Sequence, residues 1–146
     1  MSHDDCIFCK IINGELPSAK VYEDEHVFAF LDISQVTKGH TLVIPKVHTR
    51  DVYDTPADIA GNLFAVVPTI ANGIKKAYRS AGLNVLINNE KAAGQEVFHT
   101  HIHLIPRYGD KNDGFKAKWE THNDEYTMED LENMAWEVAG NMTCTR

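Results

Sequence analysis

Cysteine is scarce in this 146-residue chain, which carries only Cys6, Cys9 and Cys144. Three unevenly spaced thiols cannot build the disulfide framework that holds small secreted domains together. In a reducing compartment the Cys6-x-x-Cys9 pair therefore reads as metal-binding, redox-active or simply packed. Long apolar runs are missing as well, and those present are far too short to cross the ~30 Å hydrocarbon core of a bilayer. The opening segment MSHDDCIFCK begins with acids and lacks a basic stretch followed by a continuous apolar one, so the expected location is cytoplasmic, with no membrane partner. Cations are in deficit: 14 Lys and Arg stand against 21 Asp and Glu, a formal net charge of -7. A broad nucleic-acid face needs clustered Lys and Arg to displace counterions, and these are scattered. That class is excluded, and a small anionic ligand in a local pocket is left. No repeat, low-complexity tract or second domain is visible. Residues 1–146 are expected to form one domain, long enough to bury about two thirds of its unfolded surface.

Histidine is concentrated instead. The segment GQEVFHTHIHLIPR holds His99, His101 and His103, three of the chain's eight histidines, among β-branched and apolar residues. Successive side chains of a strand alternate sides, so the three imidazoles are expected on one face while Thr100, Ile102 and Leu104 point to a core. At ~7 Å between alternate residues, neighbouring rings reach the same small group. Two chemistries fit: a phosphate-handling catalytic row, or a metal enzyme in which His99, His101 and His103 together hold zinc.

The surrounding pattern is α+β. Asp4 and Asp5 are expected to cap a short helix carrying Ile7, Phe8, Ile11 and Ile12, stopped at Asn13-Gly14. VYEDEHVFAFLDI contains a charged turn followed by an apolar run, Val27 to Leu31, and this run and a second, Thr41 to Ile44, read as strands of one sheet. Thr55-Pro56-x-Asp58 has the order of an N-cap, a proline at the first helical position and an acid at the third. A long helix over about residues 56–80 follows, kinked at Pro68. Alternation over Leu83, Val85 and Ile87 predicts a strand, a turn from Asn89 to Gly94, and then the histidine strand, with Asn88 beside the imidazole row. Thr127 with Asp130 opens a last helix carrying Leu131, Met134, Ala135 and Val138. His40 reads as a packing or hydrogen-bonding residue at a strand start, and His26 and His122 as surface residues.

Gly94-Gln95 followed by His99-Thr-His101-Ile-His103-Leu-Ile resembles the His-φ-His-φ-His-φ-φ signature, with φ apolar, of the histidine-triad (HIT) superfamily of nucleotide hydrolases and transferases. CIFCKIINGELPSAKVYEDE, FAFLDISQVTKGHTLVIPKVH and LINNEKAAGQEVFHTHIHLIPR occur in the family's order and approximate spacing, over most of residues 6–107. The resemblance implies a HIT-like fold: an antiparallel sheet with a long helix and short terminal helices, a HIT core over about 6–107, a C-terminal helical extension over about 127–140, and a two-fold dimer. His103 stands where the uridylyltransferase branch has glutamine, and the short chain resembles the Hint branch of hydrolases.

The implied activity is hydrolysis at the α-phosphate of a purine nucleoside monophosphate conjugate, of the adenosine 5′-monophosphoramidase type. By resemblance His101 attacks to give a nucleotidyl-histidine, His103 binds the phosphate and assists the leaving group, and the His99 carbonyl fixes the tautomer of His101. Asp32 would accept both ribose hydroxyls, Ile33 would lie against the base, Asn88 would contact the phosphate, and Gln95 with the backbone N–H of Glu96 would complete the cradle. Glu96 departs from the serine the resemblance leads one to expect, and a carboxylate near a phosphate is unfavourable unless it points away. Zinc needs four ligands, and Cys6 and Cys9 supply two. The resemblance points to His48 and His99 as the others, in a structural site without a catalytic role and without an organic cofactor. A dinucleoside polyphosphate hydrolase and a non-catalytic nucleotide-binding protein are the rival readings.

Overall fold

A computed structural model describes residues 3–110, 113–116 and 118–142. Cys144 lies outside the described residues. The chain divides into two compact units, Met1–Phe115 and Lys116–Arg146.

The first unit is built on a five-stranded antiparallel sheet. Its strands are β1 (Lys20–Glu23), β2 (Val27–Leu31), β3 (Thr41–Pro45), β4 (Gly82–Leu86) and β5 (Ile102–Arg107), in the order β1-β2-β3-β5-β4. Period-2 alternation divides the side chains between two faces. Val27, Ala29, Val43, Ile102 and Leu104 form one buried cluster with Leu63, Ile70 and Ile74 of the long helical segment. Phe28, Phe30, Leu42 and Ile44 form another with Cys6 and Phe8 of α1 (Ile7–Ile12). As the alternation requires, Thr100, Ile102 and Leu104 are buried, the last two in the helix-side cluster.

Several local expectations are corrected. The charged turn lies at residues 24–26, where the Asp24 carboxylate accepts from the N–H groups of His26 and Val27 at 2.7 and 2.8 Å, but it is preceded by an unforeseen strand, β1, at Lys20–Glu23. Asp4 and Asp5 lie in a 3₁₀ turn, His3–Asp5, and do not cap α1. The cap is Cys6, whose Sγ accepts the Cys9 N–H at 3.4 Å. The long helix is two helices, α2 (Ala57–Ala65) and α3 (Val67–Tyr78), broken at Val66. Pro68 is the cause: it lacks the N–H that would continue the ladder and its ring crowds the carbonyl of residue 64. Thr55 does not cap α2, because its hydroxyl donates to the Asp51 carbonyl at 2.6 Å instead. By length and composition Ala57–Tyr78 could cross a membrane, contrary to the expectation from its apolar runs, yet Leu63, Ile70 and Ile74 of this segment bury against the sheet.

The second unit contains α4 (Met128–Gly140), opened by a reciprocal capping box between Thr127 and Asp130. Leu131, Met134 and Val138 are exposed.

Candidate active site and metal centre

The histidine segment is not one strand. β5 begins at Ile102, so only His103 lies within it, and residues 99–101 form the extended approach. Pairing with β3 stops at Val43↔Ile102, because two residues further on Pro45 has no N–H to offer a ladder. Side chains and a loop replace the missing rungs. His99 Nε2 donates to the Pro45 carbonyl at 2.8 Å, and the Thr100 N–H donates to the Thr49 carbonyl at 2.7 Å. The three imidazoles nevertheless share the face of α1: Phe8 meets the rings of His99 and His101 edge-on at 5.8 and 5.2 Å, and the rings of His101 and His103 are 4.9 Å apart.

On this face lies a cavity of about 560 Å³. Ile7, Phe8 and Ile11 of α1, Leu16 and Pro17 form its apolar wall, and Asp32, Asn88, Gly94, Glu96, His101 and His103 form its polar end. Ile33 stands at the rim 99% exposed, an apolar side chain left uncovered beside a carboxylate. Asp32 is partly committed to its own loop, since Oδ1 accepts the Ser34 N–H at 2.8 Å. The loop is stapled by Gln35, whose amide nitrogen donates to the Asp32 and His40 carbonyls while its oxygen accepts from the N–H groups of Gly39 and His40. Gly39 has φ +95°, and a Cβ there would lie 2.9 Å from the Tyr78 ring, so both conformation and space require glycine.

In both cavity-lining rings of the row Nδ1 has an assigned neighbour. His101 Nδ1 lies 2.7 Å from the His99 carbonyl, which can only accept, so Nδ1 carries the proton and the ring's other nitrogen is left as a lone pair. His103 Nδ1 lies 3.0 Å from His40 Nε2. Burial lowers the pKa of both His101 and His40, opposed in each case by the Asp32 charge. Burial, reinforced by His101 and His40, lowers His103 to about 4. Each shift favours the neutral ring, the state a nucleophilic imidazole requires.

A second cluster sits between α1 and the segment after β3. Cys6 Sγ is 3.4 Å and Cys9 Sγ 3.6 Å from His99 Nδ1, and Cys9 Sγ is 3.4 Å from His48 Nδ1. The four ligand atoms all lie within 4.8 Å of one another and could hold a metal ion. Two ligands at ~2.3 and ~2.05 Å from a tetrahedral zinc are about 3.5 Å apart, close to these sulfur–nitrogen separations. The donor set fits chemically too, because the Pro45 carbonyl keeps the His99 proton on Nε2 and turns Nδ1 toward the sulfurs, as a ligating imidazole needs. Burial, then hydrogen bonding and charge from Cys6, raise the Cys9 thiol to about 11, so metal binding there would displace a proton. Among the described residues no candidate metal cluster joins His99, His101 and His103. The three-histidine zinc site is thus corrected: His99 turns to the thiols, while His101 and His103 turn to the cavity. Asp32, His40 and His103 also converge, but there the two imidazole nitrogens sit at mutual hydrogen-bond distance.

A family model, the HIT domain, matches residues 13–110, more than half of the chain. The chain belongs to the HIT family. Among HIT relatives, "Protein hit" of Bacillus subtilis is 60% identical over 136 residues, 93% of each chain. The adenosine 5′-monophosphoramidase HNT1 of Saccharomyces cerevisiae is 42% identical over 121 residues, 83% of this chain and 73% of the yeast one. The adenylylsulfatase HINT3 of Arabidopsis thaliana is 48% identical over 104 residues, 71% of this chain and 53% of the plant one. The crystal structure of a HIT family protein from Bacillus anthracis superposes with a TM-score of 0.93 at 60% identity, covering 96% of this chain and 99% of the other. A Zn-bound histidine triad family protein from Mycobacterium smegmatis does so with a TM-score of 0.73 at 34% identity, covering 97% and 100%.

Within this HIT fold, Asp32, Ile33, Asn88, Glu96, His101 and His103 line one cavity, and Cys6, Cys9, His48 and His99 gather in the neighbouring cluster. Gln95 is the exception. It is 3% exposed and does not line the cavity: its oxygen accepts the Glu90 N–H at 2.7 Å and its nitrogen donates to the Arg50 and Val97 carbonyls. Gln95 therefore shapes the loop under Glu96 and does not present its amide to a ligand. His40 is the buried hydrogen-bonding residue at a strand start that was expected, 2% exposed, but its partner, the ring of His103, was not foreseen. The position of His40 two residues before Leu42, the β3 partner of His103, was the available signal.

Proposed function

We propose that this HIT protein is a nucleotide hydrolase that acts at the α-phosphorus of purine nucleoside monophosphate conjugates, of the adenosine 5′-monophosphoramidase type, through a nucleotidyl-His101 intermediate. The observation that carries this reading is the 2.7 Å contact of His101 Nδ1 with the His99 carbonyl, which leaves a neutral imidazole lone pair at the polar end of the cavity. That lone pair forms a bond to phosphorus as the bond to the leaving group breaks, and the departing atom takes a proton. Water then cleaves the phosphorus–nitrogen bond, returning His101 and releasing the nucleoside monophosphate. Asp32 accepts from the ribose hydroxyls through the oxygen not used by Ser34, Ile33 covers the base, and His103, Asn88 and the Glu96 backbone N–H bind the phosphoryl oxygens. The amine and sulfate leaving groups implied by the names of the yeast and plant relatives both depart from the phosphorus of AMP, which supports assigning the AMP half of the substrate.

Zinc is the metal proposed for Cys6, Cys9, His48 and His99, with the Zn-bound mycobacterial neighbour in support. There it would bind α1 to the segment after β3 and would not activate water, all four positions being protein ligands. Residues 6–107 are read as the HIT domain proper, with 127–140 as its helical extension. A two-fold dimer is supported by the edge position of β4, where Val85 is exposed. The free thiols of Cys6 and Cys9 suit a cytoplasmic setting.

The direct test is rapid quench of the protein with adenosine 5′-monophosphoramidate. A nucleotidyl-enzyme present in the wild type and absent in His101→Ala is expected; turnover unchanged in His101→Ala would overturn the reading.

A further inference from the structure

The ring behind His103 has no part in the reaction as described above, and its hydrogen bonds fix more than packing. His40 Nδ1 lies 3.3 Å from the Val36 backbone N–H, a group that can only donate. Nδ1 must accept, so the His40 proton is on Nε2. An imidazolium is excluded by the same contact, which would set one N–H against another. The Nε2 proton faces His103 Nδ1 at 3.0 Å, with Asp32 Oδ2 3.7 Å away on the same side. The carboxylate favours a proton directed toward it, and His103 Nδ1 is left as the acceptor. Neutral His103 must then carry its own proton on Nε2.

We propose that His40 is a positioning residue that holds His103 in its Nε2-protonated tautomer, so that His103 serves the α-phosphate as a hydrogen-bond donor while its neighbour His101 offers the lone pair. The inference rests on the nucleotidyl-His101 reading above. It explains how two adjacent imidazoles, 4.9 Å apart and lining one cavity, have opposite polarity. The polarity is imposed from behind, on His101 by the His99 carbonyl and on His103 by the chain of donors Val36 N–H, His40 Nε2–H, His103 Nε2–H. With lone pairs on both rings the phosphate would meet repulsion in place of a donor. With protons on both there would be no nucleophile.

The test compares the wild type with His40→Gln, whose side-chain amide can still donate to His103 Nδ1, and His40→Leu, which cannot. Long-range ¹H–¹⁵N correlation on metal-replete protein at pH 7.5 should show His103 as the Nε2–H tautomer in the wild type and His40→Gln. His40→Leu should admit the Nδ1–H form. With adenosine 5′-monophosphoramidate, kcat should fall about ten- to a hundred-fold in His40→Leu and recover largely in His40→Gln, the range expected for loss of one phosphoryl-oxygen donor. An Nδ1–H tautomer of His103 in the wild type, or equal impairment of both variants, would overturn the proposal. The wild-type spectrum decides the tautomer even if a variant folds poorly. Absence of a nucleotidyl-enzyme with the expected tautomer intact would instead count against the reaction assigned to His101.

Discussion

Cys6 and His99 are 93 residues apart in sequence, yet Cys6 Sγ lies 3.4 Å from His99 Nδ1. The contact joins the cap of α1 to the approach to β5, so whatever stabilises it also stabilises the wall and floor of the cavity. Purified protein should hold about one zinc per chain. Cys6→Ser or His48→Ala should release it and lower the melting temperature, since metal binding to a preformed site is folding free energy. Elemental analysis with thermal denaturation checks this, and an unchanged melting temperature on chelation would contradict it.

The metal and the chemistry should separate. His101→Ala should keep zinc and lose turnover, while chelation at a temperature where the protein stays folded should leave most hydrolysis intact. His101→Gly should regain part of its activity with added imidazole, because the missing nucleophile can come from solution. Zinc lost from His101→Ala would break this division.

Asp32 carries both a loop bond and the proposed ribose contact. Asp32→Ala should weaken binding of AMP more than of its 2′-deoxy counterpart, by roughly 1–3 kcal/mol per charged hydrogen bond lost. Calorimetric titration with the two nucleotides reads the difference directly. Equal losses would leave Asp32 as a loop residue only.

Gln95 satisfies the Glu90 N–H and the Arg50 and Val97 carbonyls from a buried position. Gln95→Ala should destabilise the fold by about 1–3 kcal/mol, the cost of leaving a buried polar group unsatisfied. A urea midpoint equal to wild type would show that the loop re-forms its bonds without the amide.

Acid should destabilise the protein through the buried imidazoles. His103 is lowered to about 4 in the fold, and His40 is lowered as well, both first by burial. Between the ordinary histidine value near ~6.5 and the folded value, the unfolded chain binds more protons. Stability contributed by the neutral rings is therefore full above about 6.5 and declines as pH falls toward 4. His103→Gln should flatten that part of the pH–stability curve, which denaturation at a series of pH values would show.

The chemical inventory and most of the strands and helices were legible in the sequence, though not β1, the break at Val66 or the late start of β5. The short apolar runs at Val27–Leu31 and Thr41–Pro45 and the Thr127–Asp130 capping box are local signals, because they depend on neighbours within a strand or a turn. The His-x-His-x-His pattern likewise carried the family resemblance. The sequence misled where one residue served two local rules: Thr55 read as a helix cap but bonds to Asp51, and Asp4 and Asp5 ceded the cap of α1 to Cys6. What only the tertiary structure decided is the state of each ring nitrogen. Whether an imidazole nitrogen donates, accepts or faces a metal depends on the atom opposite it, and those atoms come from distant segments: Pro45 for His99, His40 for His103, Cys6 and Cys9 for His99 again. Gln95 was legible as a site residue and became a loop brace for the same reason, since Arg50 reaches it across 45 positions. Side-chain identity is written in the sequence, but the direction of a hydrogen bond is a property of the pair, and folding chooses the partner.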